Sequence, residues 1–138
     1  MSSDCPFCCI ASGSASSSIV YEDENILAFM DFCPISIGHT LIVPRKHWET
    51  IYEVPEKTLA ELAAVVKKVC VAVKKTVDAA GIRIVQLNGK AAGQVVMHLH
   101  FHVIPVYSKD GVKIGYHKRV TVNRTKLDDI AKKIRENL

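Results

Sequence analysis

Three histidines alternate with apolar residues between Met97 and Ile104, and no other stretch of the chain points as directly to chemistry. Successive side chains of a β-strand point to opposite faces, so the spacing predicts that His98, His100 and His102 share one face. Imidazole titrates near neutral pH, binds metals and is a nitrogen nucleophile. A merely solvated strand face has no need of three such groups, so the pattern favours catalysis or metal binding.

A loop rich in glycine and small residues, 88–94, precedes the histidines. Glycine lets backbone N–H groups approach an anion closely, and such a loop can bind phosphate. A neutral imidazole nitrogen can attack a phosphorus ester and form a covalent intermediate that water then releases, while a second imidazole assists the leaving group. Loop and histidines together predict transfer of a phosphorus group, with no metal required for the chemistry.

The histidine segment resembles the motif of the histidine triad (HIT) family of nucleotide hydrolases and transferases, His-φ-His-φ-His-φ-φ with φ apolar. Residues 98–104 match this motif at every position. Residues 31–34 and 38–47 are similar to the family's upstream block, and the polar residues of 88–94 fall where the family contacts ribose and phosphate. The resemblance covers residues 4–107 in the family's order.

The resemblance implies a role for each candidate residue. His100 is the nucleophile that becomes linked to AMP or GMP, His102 contacts the phosphate and assists the leaving group, and His39 joins the cluster from another strand. Asp31 accepts hydrogen bonds from both ribose hydroxyls, although a turn residue is its simpler interpretation. The other implied nucleotide contacts are an apolar slot for the base and polar or backbone contacts to sugar and phosphate: Phe7, Ile10, Phe29, Phe32, Asn88, Gly93, Gln94 and Val95.

One position departs from the family pattern. Many members carry Ser or Thr directly after the Gly-Gln pair, whereas this chain has Val95. The backbone N–H can still bind phosphate, but the hydroxyl near the scissile bond is lost. The departure leaves the leaving-group preference and the rate open.

Cysteines form a C-x-x-C pair, Cys5 and Cys8, near the N-terminus. Such a pair indicates a metal or a redox site, and redox chemistry would place it after a strand at the start of a helix. Here it precedes every predicted strand. A structural zinc needs four ligands, and the zinc-bearing, Hint-like branch of the family adds His47 and His98. We therefore expect one structural zinc, with support of His100 as the alternative role of His98.

Hydrophobic periodicity predicts an α+β fold in which an antiparallel sheet of about five strands is backed by one long helix and followed by a C-terminal helix. This is the HIT-like fold that the resemblance implies. We expect a single domain over 1–138, with its core at 4–107 and an extension at 108–138. The predicted elements are a short helix at 5–11, strands at 19–21, 26–30, 40–43, 83–87 and 95–106, a helix from Pro55 to a stop at Gly81, and a helix from Thr125. A turn is expected at 109–111, and 112–124 is left open between strand and loop.

Composition excludes several classes of protein. The net charge of +4 is too small to argue for nucleic acid as a partner. No apolar stretch approaches the length of a membrane span, and the N-terminus lacks the features of a secretory signal, so we expect an intracellular protein, cytoplasmic or nuclear. The family resemblance implies a homodimer that joins two sheets, with a purine nucleoside monophosphate or a nucleotide conjugate as ligand.

Three functions fit these observations. The favoured one is hydrolysis of nucleoside 5′-phosphoramidates, which include adenylated amines. The same chemistry would also hydrolyse dinucleoside polyphosphates. A nucleotide-binding interaction module with negligible turnover is the alternative from another class. The missing hydroxyl at Val95 favours this alternative.

Overall fold

The computed structural model describes residues 4–108 and 119–138, which form one antiparallel sheet and three α-helices. The strands lie in the order β1-β2-β3-β5-β4 and each pairs antiparallel with its neighbours. This arrangement confirms the predicted α+β class. The elements along the chain are α1 (Pro6–Ser12), β1 (Ile19–Glu22), β2 (Ile26–Met30), β3 (Thr40–Pro44), α2 (Glu56–Val77), β4 (Gly81–Gln86), β5 (Phe101–Val106) and α3 (Arg124–Glu136). The turn expected at 109–111 and most of 112–124 lie outside the described residues.

Both faces of the central strands are covered, which explains why every residue of β2 and β3 is buried. On one face, Ile26 and Ile42 belong to the core that also contains the apolar stripe of α2. On the other face, Leu27 and Leu41 pack with Phe7 and the cysteine pair of the N-terminal segment. Alternating side chains place successive strand residues in the two cores. The second core therefore fixes α1, and with it the cysteines, against the sheet.

The long helix α2 ends earlier than the sequence predicts. Asp78 adopts a left-handed conformation (φ 51°) and its N–H bonds the carbonyl of Lys74, which terminates the helix. Aspartate is one of the few residues that tolerate this conformation. Ala80 then donates to the carbonyl of Val106, so Gly81, the predicted helix stop, is instead the first residue of β4. No helix in the described ranges is both long and apolar enough to cross a membrane.

The histidine strand is shorter than predicted, because residues 95–100 are not part of β5. The pairing with β3 reaches only Ile42 opposite Phe101. Further along β3, Pro44 has no N–H to donate to a ladder. The amide of Leu99 instead donates to the carbonyl of Trp48 at 2.7 Å. The alternation of faces nevertheless holds, since Leu99 lies in the α2 core.

The C-terminal helix α3 confirms the helix predicted from Thr125. Asn123 caps its first turn by accepting from the N–H of Lys126. The helix packs on α2 and β1 through its apolar face. Ser18, just before β1, donates to Asp128 at 2.6 Å, and Arg124 donates to the same carboxylate at 2.8 Å. The extension beyond β5 is thus attached to the rest of the fold.

Candidate functional site

The imidazole of His100 is buried beside the sheet, and one backbone group fixes its tautomer. Its Nδ1 lies 2.7 Å from the carbonyl oxygen of His98. A carbonyl only accepts, so Nδ1 must carry the proton and Nε2 keeps its lone pair. Burial lowers the pKa of His100, opposed by the same carbonyl and by the charge of Asp31. His100 is therefore neutral at pH 7, and its Nε2 carries a free lone pair that could act as a nucleophile.

A chain of three hydrogen-bonding groups fixes the proton of His102. The N–H of Ile35 donates to Nδ1 of His39 at 3.0 Å, which leaves Nε2 of His39 to carry the proton. That nitrogen lies 2.9 Å from Nδ1 of His102. Burial lowers the pKa of His39 to about 2 and that of His102 to about 4, so both rings are neutral at pH 7. His102 therefore holds its proton on Nε2, where it can donate to a phosphoryl oxygen or to a departing atom.

Asp31 lies in the loop that follows β2, and its carboxylate is nearly buried. Oδ1 accepts the N–H of Cys33 at 2.9 Å, and Oδ2 lies 3.2 Å from Nη1 of Arg119 and 3.7 Å from Nε2 of His39. Burial raises the pKa of Asp31, and the Cys33 amide and the Arg119 charge oppose that rise. The structure thus brings the predicted sugar-binding carboxylate next to the histidine cluster.

Polar residues of the glycine-rich loop mainly hold the loop in place. Asn88 accepts the N–H of Ile51 at 2.7 Å through its side-chain oxygen. Gln94 is 3 % exposed, accepts the N–H of Gly89 and donates to the carbonyl of Glu49. Gly93 has a φ of 98°, a conformation that favours glycine. These contacts fix the loop in which Val95, with its apolar side chain 87 % exposed, follows Gln94.

The predicted base-contacting residues separate into two groups. The ring of Phe7 packs edge-to-face on Phe29, with centroids 5.4 Å apart, and on His100 at 5.1 Å. Ile10 is half-buried against the same cluster. Phe32 is different, because it is 82 % exposed next to Asp31. The first three belong to one cluster, in which Phe7 contacts His100, whereas Phe32 presents an exposed aromatic ring.

The cysteine pair and two histidines converge on one point. The ligand atoms of Cys5, Cys8, His47 and His98 all lie within 4.8 Å of one another. Nδ1 of His98 lies 3.3 Å from Sγ of Cys5 and 3.5 Å from Sγ of Cys8, and Nδ1 of His47 lies 3.3 Å from Sγ of Cys8 and 3.1 Å from Nδ1 of His98. A tetrahedral zinc with its usual bond lengths has ligand–ligand edges of about 3.3–3.8 Å.

The tautomer of His98 suits a metal ligand. Nε2 lies 2.8 Å from the carbonyl of Pro44, so it carries the proton and Nδ1 presents a lone pair to the thiols. Two thiols and two imidazoles would fill all four positions of a tetrahedral site, and this donor set fits a structural zinc. A second cluster formed by Asp31, His39 and His102 is accounted for by hydrogen bonds and by the ion pair with Arg119.

Several groups that shape the site gave no sequence signal. The carbonyls of Pro44 and His98 and the amide of Ile35 decide the tautomers, and backbone groups cannot be recognised from residue type. Arg119 lies in a charged tail in which no periodicity distinguishes it from its neighbours. Its contact with Asp31 spans 88 positions of the chain. Only the folded chain shows these four partners.

Comparison with known proteins identifies relatives that match most of the chain. A family model described as the HIT domain matches residues 12–109. A HIT-like protein of Saccharolobus solfataricus is 47% identical over 106 residues, which are 77% of this chain and 76% of that protein. Adenylylsulfatase HINT3 of Arabidopsis thaliana is 36% identical over 110 residues, which cover 80% of this chain and 56% of that protein.

A solved structure extends the likeness to the fold. The crystal structure of a zinc-bound histidine triad family protein from Mycobacterium smegmatis superimposes with a TM-score of 0.82 at 33% identity. The match covers 97% of this chain and 92% of that one. The likeness therefore includes α3 as well as the part that carries the histidines.

Proposed function

This chain belongs to the HIT family of nucleotide-binding hydrolases, and from that premise we propose that it hydrolyses purine nucleoside 5′-phosphoramidates through a nucleotidyl-histidine. The observation that carries the proposal is the tautomer of His100. Its Nδ1 proton is held by the His98 carbonyl, so the unprotonated Nε2 is ready to attack phosphorus. A neutral His102 with its proton on Nε2 stands beside it, with ring centroids 4.8 Å apart.

The reaction proceeds in two displacements. Nε2 of His100 forms a bond to the α-phosphorus, and the P–N bond to the amine breaks. The electron pair of that bond goes to the amine nitrogen, which takes up a proton from water. Water then attacks phosphorus, the bond to His100 breaks, and the nucleoside monophosphate leaves while one proton returns to solvent.

Each neighbour of His100 has a part in this scheme. Nε2–H of His102 donates to the phosphoryl oxygens or the departing atom, where charge develops in the transition state. His39 holds that proton in place through its own bond to Nδ1 of His102. Asp31 accepts the ribose hydroxyls, Phe7, Ile10, Phe29 and Phe32 contact the base, and Asn88, Gly93, Gln94 and the Val95 amide contact sugar and phosphate. These assignments are part of the proposal.

We also propose that Cys5, Cys8, His47 and His98 bind a structural zinc. The convergence of their ligand atoms and the zinc-bound Mycobacterium smegmatis relative support it. A bound zinc would supply a rigid crosslink between α1 and the segment before β5. His98 would then be fixed in place, and its carbonyl orients His100.

The remaining expectations concern the assembly and its place in the cell. We propose one domain over 1–138 that forms a homodimer in the cytoplasm or nucleus. Strand β4 lies at the edge of the sheet, and Ile84 on it is 55 % exposed, which leaves an edge and an apolar side chain for a second copy. Light scattering on the parent chain and on Ile84→Lys tests this, with a shift toward monomer expected for the variant.

The decisive experiment traps the intermediate. The protein is mixed with an adenosine or guanosine 5′-phosphoramidate, quenched under alkaline denaturing conditions, and digested for mass spectrometry. We expect a nucleoside monophosphate on the peptide containing His100, and none in His100→Ala. Labelling of another residue, or undiminished turnover in His100→Ala, would contradict the mechanism.

A substrate panel separates the alternatives. Phosphoramidates, dinucleoside polyphosphates and adenylyl sulfate are compared by kcat/KM, the last because one relative is an adenylylsulfatase. The highest value for phosphoramidates supports the proposal. Preference for a polyphosphate would support the alternative hydrolase. Tight AMP binding without turnover of any substrate would favour an interaction module.

A further inference from the structure

Arg119 contacts the proposed sugar-binding carboxylate from outside the part of the chain that defines the family. The HIT domain match ends at residue 109, ten positions earlier (119 − 109). Nη1 of Arg119 lies 3.2 Å from Oδ2 of Asp31 and 3.0 Å from the carbonyl of Cys33. A single guanidinium therefore holds both the carboxylate and the backbone of the loop that carries it.

The backbone around Arg119 is attached to the same loop. The N–H of Val120 donates to the carbonyl of Pro34 at 2.8 Å. Four positions after Arg119, Asn123 caps α3, and Asp128 on that helix accepts from Ser18. The guanidinium is thus placed by a backbone hydrogen bond on one side and a docked helix on the other.

We propose that Arg119 is a positioning residue of the sugar site, which keeps the carboxylate of Asp31 charged and oriented so that it accepts the two ribose hydroxyls. The inference rests on the proposed function, because it assumes that Asp31 binds ribose. It gives the C-terminal extension a part in substrate recognition in addition to its packing on α2 and β1.

The charges around Asp31 show why a cation is needed there. The carboxylate side chain is only 12% exposed, and burial raises its pKa. The groups that oppose this rise are the Cys33 amide and Arg119, and His100 adds to them only when it is protonated. His39 also faces Asp31, but its pKa of about 2 keeps it neutral. Among the described groups around Asp31, Arg119 is the one that is cationic at every pH of interest.

A competing role predicts the opposite result. The guanidinium of Arg119 donates a hydrogen bond to Oδ2 of Asp31, and in this role it competes with a ribose hydroxyl for the same oxygen. Removing the guanidinium would then strengthen ribonucleotide binding. The positioning role predicts a weaker one, because a carboxyl that protonates or rotates accepts poorer hydrogen bonds.

The experiment measures discrimination between ribose and deoxyribose. Titration calorimetry with AMP and 2′-deoxy-AMP is run on the parent chain and on Arg119→Gln, Arg119→Lys and Arg135→Gln. We expect the parent to favour AMP and Arg119→Gln to lose about tenfold of that preference, the loss of one hydrogen bond to a charged acceptor. Lysine keeps the charge and should retain most of the preference. Arg135 bonds the Ile19 carbonyl from the same extension, so Arg135→Gln is the matched control and should behave as the parent.

The pH dependence distinguishes positioning from a general structural disturbance. In Arg119→Gln the preference for AMP should recover as pH rises, because deprotonation of Asp31 restores the acceptor. A pH-independent loss, unchanged discrimination, or tighter AMP binding would each overturn the inference while leaving the proposed function intact. Failure of the parent chain to bind either nucleotide would overturn both.

Discussion

His98 and His100 lie two residues apart in one buried segment, yet the fold gives their imidazoles different tautomers. Nε2–H of His98 donates a hydrogen bond to the carbonyl of Pro44, and the lone pair of its Nδ1 faces the thiols of Cys5 and Cys8. Nδ1–H of His100 donates a hydrogen bond to the carbonyl of His98, so Nε2 of His100 carries the lone pair. The same side chain thus presents opposite nitrogens in the two positions.

The difference teaches that the acceptor, more than the residue type, decides what a buried histidine does. Both rings are neutral, since burial lowers the pKa of each, to about 4 for His98. The two rings differ in which nitrogen donates a hydrogen bond to a backbone carbonyl: Nε2 in His98 and Nδ1 in His100. One cluster brings together four groups that could bind a metal, and the other keeps an unprotonated nitrogen beside a hydrogen-bond donor, His102.

Alanine at each of the two positions should separate the clusters most strongly. His100→Ala should lower kcat/KM by about 10⁴-fold or more, because it removes the proposed nucleophile, and should retain the proposed zinc. His98→Ala should lose zinc and melting temperature but keep measurable turnover per folded molecule. Steady-state kinetics, metal analysis and calorimetry on both variants check this. The reverse pattern would show that the two roles are exchanged.

Breaking the chain from Ile35 to His102 should have the next largest effect. His39→Leu leaves the Ile35 amide and Nδ1 of His102 without their partner, so kcat should fall about 10²-fold while zinc content stays unchanged. His39→Gln can accept from the amide and donate to His102, and should restore part of the loss. Equal activity of the leucine and glutamine variants would mean that His39 only fills space.

Removing one ligand of the other cluster should cost stability more than activity. A ligand present at 100 times its Kd stabilises the folded state by about 2.7 kcal/mol, and Cys5→Ser should forfeit most of such a contribution. The exposed Cys33 supplies the control, because Cys33→Ser leaves the cluster untouched. Thermal melts with and without chelator measure the effect. A parent chain whose melting ignores the chelator would remove the zinc proposal.

Acid should weaken the fold through His39 and His102, the two buried histidines that hydrogen-bond each other. An unfolded chain protonates His39 and His102 near pH 6.5, whereas the folded chain keeps them neutral to about pH 2 and pH 4. Stability should therefore be constant above about pH 7 and fall below about pH 6.5, by up to about 1.4 kcal/mol per pH unit for each ring. Asp31, whose pKa is raised, acts in the opposite direction.

Urea denaturation across this pH range measures that slope. His39→Leu should show a shallower decline than the parent, because one of the rings that the folded chain keeps neutral is gone. Identical slopes would indicate that His39 is protonated in the folded chain and that the proposed tautomer of His102 is wrong.

Periodicity in the sequence determined the elements and the faces. The stripe on α2, the alternation around the histidines and the Cys5–Cys8 pair are local patterns, and local patterns follow from the geometry of helix and strand. They predicted the α+β sheet and the cysteine pair as a candidate metal site, and the family resemblance added His47 and His98, the two histidines that converge on that pair. They failed at element ends, where Asp78 rather than Gly81 stops the helix and where Pro44 leaves residues 95–100 outside the ladder.

The tertiary structure alone decided which atom of each residue is available. The Pro44 carbonyl that sets the tautomer of His98 is 54 positions away, and the guanidinium of Arg119 is 88 positions from Asp31. A proton goes to whichever nitrogen faces an acceptor, and a buried carboxylate stays charged only where a cation is near. Such partners come from distant segments, so no spacing within the sequence encodes them. The residue types determined what chemistry the chain could do, and the fold decided which histidine nitrogen is left to do it.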